Sequence, residues 1–272
     1  MKRQVILIAI ITLLIAFSLT SCSSAETISV RSTDYPHVTE LKEAELNVED
    51  IDQAIEDETN LGLFCGVSLS SSEAGLEPAL VINNYRLPSV STLMGNGGYF
   101  VGMHYTEFMS GLYFYPYSGS TSIEPLKLTD DVCVALLPII GADGVPDRDC
   151  CYAVTSWNSY SKDNAYCSTV YKLMFLKDTT TKPVMEKICE LSEPAVSATV
   201  CCGNIYVSTQ DSLYEVSPNG DFTKLSVPSA WQKLGINSMV ALNDEIFIGT
   251  AFGVLRFSPT SKNYSWFPLG DL

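Results

Sequence analysis

Short blocks rich in β-branched and aromatic side chains, each closed off by turn formers, recur through the C-terminal half of the chain and read as strands. Ile205-Tyr206-Val207-Ser208-Thr209 is matched by Ile246-Phe247-Ile248-Gly249-Thr250, and Leu213-Tyr214-Glu215-Val216-Ser217-Pro218 by Val254-Leu255-Arg256-Phe257-Ser258-Pro259. A single shift of 41 residues lays Ala195–Pro218 on Ile236–Pro259 without a gap. Upstream of each pair stands another apolar block, Val196–Val200 and Met239–Leu242, and downstream a fourth, Phe222–Val227 and Tyr264–Leu269. The pattern therefore predicts four strands in each unit of roughly 40 residues.

The same kernel recurs earlier with more divergence. Leu63-Phe64-Cys65-Gly66 and Tyr99-Phe100-Val101-Gly102 both repeat the order apolar, Phe, apolar, Gly of Ile246–Gly249, and lie 36 residues apart. Gly111-Leu112-Tyr113-Phe114-Tyr115-Pro116 follows the second of them. A further unit joins Tyr152-Ala153-Val154-Thr155 to Val170-Tyr171-Lys172-Leu173 across a polar insertion, which makes five kernels. Small residues after the apolar run, Ser208 and Gly249, suit strands that crowd toward a common axis. The units resemble the blades of ligand-sensing and scaffold propellers, which read as an apolar strand, Gly-Thr, a short turn, Gly and a second apolar strand. That resemblance implies an all-β fold, a β-propeller of five or six four-stranded blades, and names no activity. A two-layer β-sandwich is the alternative. Val38-Thr39-Glu40-Leu41 resembles Phe222-Thr223-Lys224-Leu225 and is a candidate closing strand. Either the last blade gains an extra edge strand, or Thr27–Leu41 contributes to a partial sixth blade.

The N-terminus has a different pattern. Lys2-Arg3 precedes an uncharged, mostly apolar run from Val5 to Leu19, which ends in Leu19-Thr20-Ser21-Cys22. This resembles a bacterial lipoprotein export signal with its lipobox. The resemblance implies that residues 1–21 are removed, that Cys22 carries fatty acyl chains such as palmitate, and that the protein sits at the bacterial cell envelope. Ser23 after the cysteine would fit outer-membrane sorting in a Gram-negative cell. An uncleaved span or an ordinary secretory signal is the alternative, but the apolar run is shorter than the about 20 residues that cross a bilayer. Each buried CH₂ of an acyl chain contributes about 0.8 kcal/mol, so more than one chain anchors stably. The expected organisation is a signal over 1–21, a lipidated segment and closing strand over 22–45, and a propeller domain over 46–272.

Charge narrows the partners. Without residues 1–21 the chain carries 14 basic and 31 acidic residues, a net charge of −17. Nucleic acid is not an expected partner, and no basic patch is available to press on anionic lipid. The membrane would be reached through the lipid anchor alone. Acidity suits solubility of a displayed domain, with a cationic ligand as the second reading. Nine carboxylates against Lys42 alone fall between Glu40 and Glu58, which reads as a solvated face or a linker. Neither this stretch nor Asp143, Asp147 and Asp149 has the ligand spacing of a calcium loop.

Apart from Cys22 there are eight cysteines, and Cys133, Cys150, Cys151, Cys167, Cys189, Cys201 and Cys202 fall in the third unit and the start of the fourth. No Cys-x-x-Cys occurs, and His37 and His104 are isolated, so no metal or cofactor is expected. The expectation is one to three disulfides or buried thiols that stiffen that blade. Vicinal pairs such as Cys150-Cys151 should point to opposite faces of a strand.

No nucleophile elbow, phosphate-cradling glycine loop or His-Glu-x-x-His is present, and no enzyme activity is expected. The competing reading is a propeller glycoside hydrolase using Asp52, Asp131 and Asp244 as paired carboxylates; turn capping is their other role. Aromatic residues offer the binding clue. Tyr105, Phe108, Tyr113, Tyr115 and Tyr117 crowd the second unit, and Trp157 and Tyr160 stand in the insertion Trp157–Asn164. Tyr105, Phe108, Trp157 and Tyr160 are the candidate ligand contacts, able to stack on sugar rings or anchor a protein partner. The sequence thus points to a lipid-anchored binding or scaffold propeller, with a glycoside hydrolase or glycan-binding protein as the alternative.

Overall fold

The computed structural model describes residues 27–29, 31–32, 40–56, 65–70, 79–84, 90–94, 97–103, 110–116, 125–141, 144–156, 166–175 and 183–269. β1 (Thr27–Ser29), β2 (Arg31–Ser32) and β3 (Glu40–Lys42) precede an α-helix, α1 (Val48–Glu56). The first sheet holds β4 (Cys65–Ser70) and β5 (Ala79–Asn84), with β2 added parallel to β5. Four antiparallel four-stranded sheets follow. They are β6 (Val90–Met94) to β9 (Leu126–Thr129) through β7 (Gly98–Met103) and β8 (Gly111–Pro116), then β10 (Val132–Ile140), β11 (Pro146–Ser156), β12 (Ser168–Met174) and β13 (Val184–Leu191). The fourth sheet is β14 (Ala195–Cys201), β15 (Asn204–Thr209), β16 (Leu213–Val216) and β17 (Phe222–Leu225). The fifth is β18 (Ser238–Leu242), β19 (Glu245–Gly249), β20 (Gly253–Phe257) and β21 (Tyr264–Pro268).

Each of these four sheets keeps its strands in chain order, and its first strand touches the next sheet's first strand. β10 packs on β14, β14 on β18, and β18 of the last sheet on β4 of the first. Sheets arranged so that their leading strands meet, with the last returning to the first, form a β-propeller. The two sheets of the 41-residue repeat are the fourth and fifth. Leu63–Gly66 departs from expectation: Cys65 and Gly66 open β4, an innermost strand, whereas the kernels at Tyr99, Tyr152, Ile205 and Ile246 lie in second strands. The N-terminal segment departs as well. Glu40 and Leu41 pair with β1, while the Leu41 side chain is buried against Phe247, Val254 and Phe267 of the last blade and Ala44 hydrogen-bonds to its edge, donating its N–H to the Trp266 carbonyl at 2.9 Å.

The core lies between blades, so the second and third strands of the later blades bury both faces, whereas the outermost strand Phe222–Leu225 is largely exposed. In β11, Cys151 and Ala153 face the second sheet's Phe100, Leu112 and Phe114, while Tyr152 and Val154 join Ile205, Val207 and Val216 of the fourth sheet. In β15, Ile205 and Val207 look back to the third sheet and Tyr206 looks forward to Ile246, Leu255 and Phe257 of the fifth. This is why the kernels read as unbroken apolar runs instead of alternating ones. Full burial of each such side chain stabilises by about 1.5–3 kcal/mol. The glycine that opens the third strand has a separate cause. A Cβ at Gly253 would lie 2.3 Å from the Phe267 carbonyl oxygen, and one at Gly111 would lie 2.8 Å from that of Thr129, so close pairing with the outermost strand excludes a side chain.

α1 was not expected. Asn47 caps it, its Oδ1 accepting the Glu49 N–H at 3.1 Å, and Glu49 and Asp50 occupy the first turn, where the helix dipole favours negative charge. The helix buries Ile51 against Trp231, Leu234 and Trp266, closing the outer part of the gap between the fourth and fifth blades.

Candidate functional site

Cys22, Tyr105, Phe108, Tyr117, Trp157, Tyr160, His37 and His104 lie outside the described residues. Tyr113 and Tyr115 stand on β8, and the Lys127 ammonium lies 5.6 Å from the Tyr113 ring centroid. The three candidate carboxylates take up separate positions. Asp52 is on α1, its two oxygens 2.6 and 2.7 Å from Lys233 Nζ. Asp131 precedes the inner strand β10, where its N–H donates to Thr129 Oγ1 at 3.1 Å and its carboxylate accepts from that hydroxyl at 3.2 Å. Asp244 follows the inner strand β18, in the left-handed turn into β19. One carboxylate on the outer helix, one before an inner strand and one beyond the end of another do not make a catalytic pair.

Cys150, Cys151, Cys167, Cys189, Cys201 and Cys202 form no disulfide, so the disulfide part of the expectation is not shown for them. The buried-thiol part holds, since Cys133, Cys151, Cys189 and Cys201 are buried. Desolvation pushes the Cys151 thiol up to about 12 and Cys189 to about 11, so these sulfurs are packing groups and not nucleophiles. Cys150, on the other face of β11, donates to Asp147 Oδ2 at 3.0 Å, and burial followed by that carboxylate holds it at about 11. Among the described residues no cluster of three His, Cys, Asp or Glu side chains could hold a metal ion.

Two carboxylates act as structural nodes. Glu193, between β13 and β14, accepts from Ser212 Oγ at 3.0 Å, Tyr214 Oη at 2.9 Å and Lys224 Nζ at 2.7 Å through Oε1, and from Thr209 Oγ1 through Oε2. Burial pushes its pKa up, but these hydrogen bonds outweigh it and hold the carboxyl at about 2. Glu215 accepts from Asn204 at 2.9 Å, Tyr206 at 2.7 Å and Lys262 at 2.7 Å. Its pKa is also lowered, the hydrogen bonds led by Lys262 overcoming desolvation.

A cavity of about 360 Å³ opens at the outer rim of the fifth blade. It is bounded by the segment from Glu43 to Leu46, by Pro228 and Ser229, and by Leu255, Tyr264, Ser265 and Trp266. The Ala44–Trp266 hydrogen bond sets its width by tying the segment to the edge of β21. Tyr264 packs its ring 4.8 Å from that of Phe257 and edge-on to Trp231 at 6.2 Å. Its hydroxyl is buried without a hydrogen-bond partner, and burial raises its pKa. Aromatic surface and the acidic residues Glu43 and Glu45 can together receive a ligand with a cationic head and an apolar body. Sequence reasoning missed this place because its polar lining lies in the acidic stretch read as a linker.

No protein-family model and no curated protein matches the chain. Among solved structures, the extracellular domain of a hybrid two component system from B. thetaiotaomicron is similar at 13% identity and a TM-score of 0.38, over 77% of this chain and 24% of that one. Virginiamycin B lyase from Staphylococcus aureus is similar at 9% identity and a TM-score of 0.39, over 85% of this chain and 88% of the lyase. Tricorn protease is similar at 13% identity and a TM-score of 0.29, over 66% of this chain and 21% of the protease. The chain thus spans about a quarter of the first of these structures. The expectation of a protein without enzyme activity is corrected here. The similar structures include an enzyme, the lyase, and a propeller ring by itself says nothing against catalysis.

Proposed function

We propose that the protein is exported, anchored at the bacterial envelope through acyl chains on Cys22, and acts there by binding a ligand or partner as a recognition or scaffold module. The anchor is supported by the sequence Leu19-Thr20-Ser21-Cys22 behind a short apolar run. The single observation that carries the binding reading is the rim cavity, which the aromatic residues Tyr264 and Trp266 and the acidic residues Glu43 and Glu45 line together. A rigid ring holding such a cavity at its edge suits recognition, and Tyr105, Phe108, Trp157 and Tyr160, which lie outside the described residues, are further candidate contacts for a glycan or protein.

Two measurements test the reading. Mass spectrometry of the mature N-terminus should find a lipidated Cys22; an unlipidated start elsewhere removes the anchor. Crosslinking in native membranes should capture a partner or ligand that is lost on Glu43→Gln/Glu45→Gln substitution or on Trp157→Ala/Tyr160→Ala. Capture unchanged by both variants removes these surfaces as the binding site.

A further inference from the structure

We propose that Cys201 and Cys202 are a vicinal dithiol that closes reversibly to an intramolecular disulfide by exchange with a small-molecule disulfide. Neighbouring residues on a strand point to opposite faces, and Cys150-Cys151 obeys this rule, one sulfur beside Asp147 and the other in the core. Cys201-Cys202 breaks it. Cys201 is the last residue of β14 and Cys202 turns into the left-handed region with φ of 50°, followed by Gly203 at 80°. Two consecutive left-handed residues join β14 to β15 as a tight hairpin, and the reversal brings the two Sγ atoms to 3.7 Å.

The backbone conformation is a second, independent sign. One blade further on, 41 residues along, the same turn is made by Asn243 and Asp244 with φ of 53° and 62°. Asn and Asp tolerate this region, whereas a cysteine there is uncommon. The fourth blade thus holds a residue poorly suited to its turn at the one place where doing so brings two thiols together. Such outliers cluster where conformation serves chemistry.

The two sulfurs have unequal access, as a stepwise exchange requires. Cys202 is exposed and Cys201 is 4% exposed. The Cys202 thiolate attacks one sulfur of glutathione disulfide, forming a mixed disulfide and releasing one glutathione thiolate. Cys201 then gives up its proton to solvent, and its sulfur attacks that of Cys202, breaking the mixed disulfide and releasing the second glutathione. The protein loses two electrons and two protons, and glutathione disulfide is reduced to two thiols. Adjacent Cα atoms are about 3.8 Å apart, short of the roughly 4.4–6.8 Å of ordinary disulfides, so the ring is strained and readily reduced again. Burial, with Cys202, Asp244 and Glu245 adding to it, holds the Cys201 thiol at about 12, which makes the second step slow and base-accelerated; the Asp244 carboxylate also accepts from the Cys202 thiol at 3.7 Å.

The test is to incubate the full chain with glutathione disulfide, quench with acid, alkylate the remaining thiols and map the peptides by mass spectrometry. The expected result is a Cys201-Cys202 peptide lighter by two hydrogens and unalkylated, restored by dithiothreitol, while Cys150 and Cys151 in the same digest are both alkylated. Closure should quicken roughly tenfold per pH unit through the neutral range, following the Cys201 thiolate fraction. Cys201→Ser should stop at a single glutathione adduct on Cys202, and Cys202→Ser should leave Cys201 unmodified. A wild-type chain that retains one stable glutathione on Cys202, or whose two thiols remain alkylatable throughout, overturns the proposal without recourse to either variant.

Discussion

Lys224 on the outermost strand of the fourth blade places its ammonium 2.7 Å from Glu193 Oε1, on the loop by which the chain enters that blade. The contact crosses the full width of the sheet, because Glu193 also receives Ser212 and Tyr214 from the β15–β16 side. Glu193→Gln keeps the shape but removes the charge. We expect a loss of about 1–2 kcal/mol, read as a lower denaturation midpoint with an unchanged denaturant slope.

The same carboxylates set the acid limit of the fold. Glu193 titrates at about 2 in the folded chain against an ordinary 4.5, and Glu215 is shifted in the same direction. A lowered folded-state pKa gives stability that is fully present above the unfolded value and is lost as pH falls through the folded one. The melting temperature should therefore fall between about pH 4.5 and about pH 2, and Glu193→Gln should fall less steeply. Equal acid slopes for the two proteins would refute the assignment.

Two glycines separate steric from conformational demand. At Gly253 a Cβ would meet the Phe267 carbonyl at 2.3 Å and the Pro268 Cα at 2.9 Å, both backbone atoms. Gly203 has φ of 80° but open space around it. Gly253→Ala should cost about 2–3 kcal/mol by overpacking, and Gly203→Ala about 1 kcal/mol through its left-handed backbone. Chemical denaturation of both variants checks the order; the reverse order would place the constraint in the turn instead of the strand pairing.

The acidic helix stabilises through Ile51, the buried one among its described side chains, with Val48 packed beside it, and not through its charges. Ile51→Ala should cost about 2–4 kcal/mol. Asp52→Asn, which breaks an ion pair with Lys233 whose side chains are 46% and 43% exposed, should cost less than about 1 kcal/mol. Thermal melts of the two variants separate these values.

The strand pattern carried far more of the fold than of the site. The 41-residue repeat located the fourth and fifth blades to within a residue or two, because strands buried on both faces must be apolar throughout. Tyr99–Gly102 and Tyr152–Thr155 were legible for the same reason. Leu63–Gly66 misled because an innermost strand and a second strand are equally apolar, so composition alone does not distinguish them. α1 was legible but passed over: Val48, Ile51 and Ile55 recur at i, i+3 and i+7 behind the cap residue Asn47, a helical stripe, and the surrounding carboxylates led the stretch to be read as a solvated face or linker. The rim cavity was not legible, since it depends on Ala44 reaching Trp266 across more than 200 intervening residues. The nearness of Cys201 and Cys202 was hidden by treating both as strand residues, although Gly203 marked the turn. Trp157 and Tyr160 lie outside the described residues, and their role stays with the proposed function.

Ring closure, the contact of the last sheet's inner strand β18 with the first sheet's β4, is tested most directly by methyl–methyl nuclear Overhauser effects in the full chain. A closed propeller gives cross-peaks between Met239 or Val240 of Ser238–Leu242 and the methyl groups of Cys65–Ser70, alongside those linking β10 with β14 and β14 with β18. Cross-peaks confined to neighbours in chain order, with none between β18 and β4, would contradict the ring.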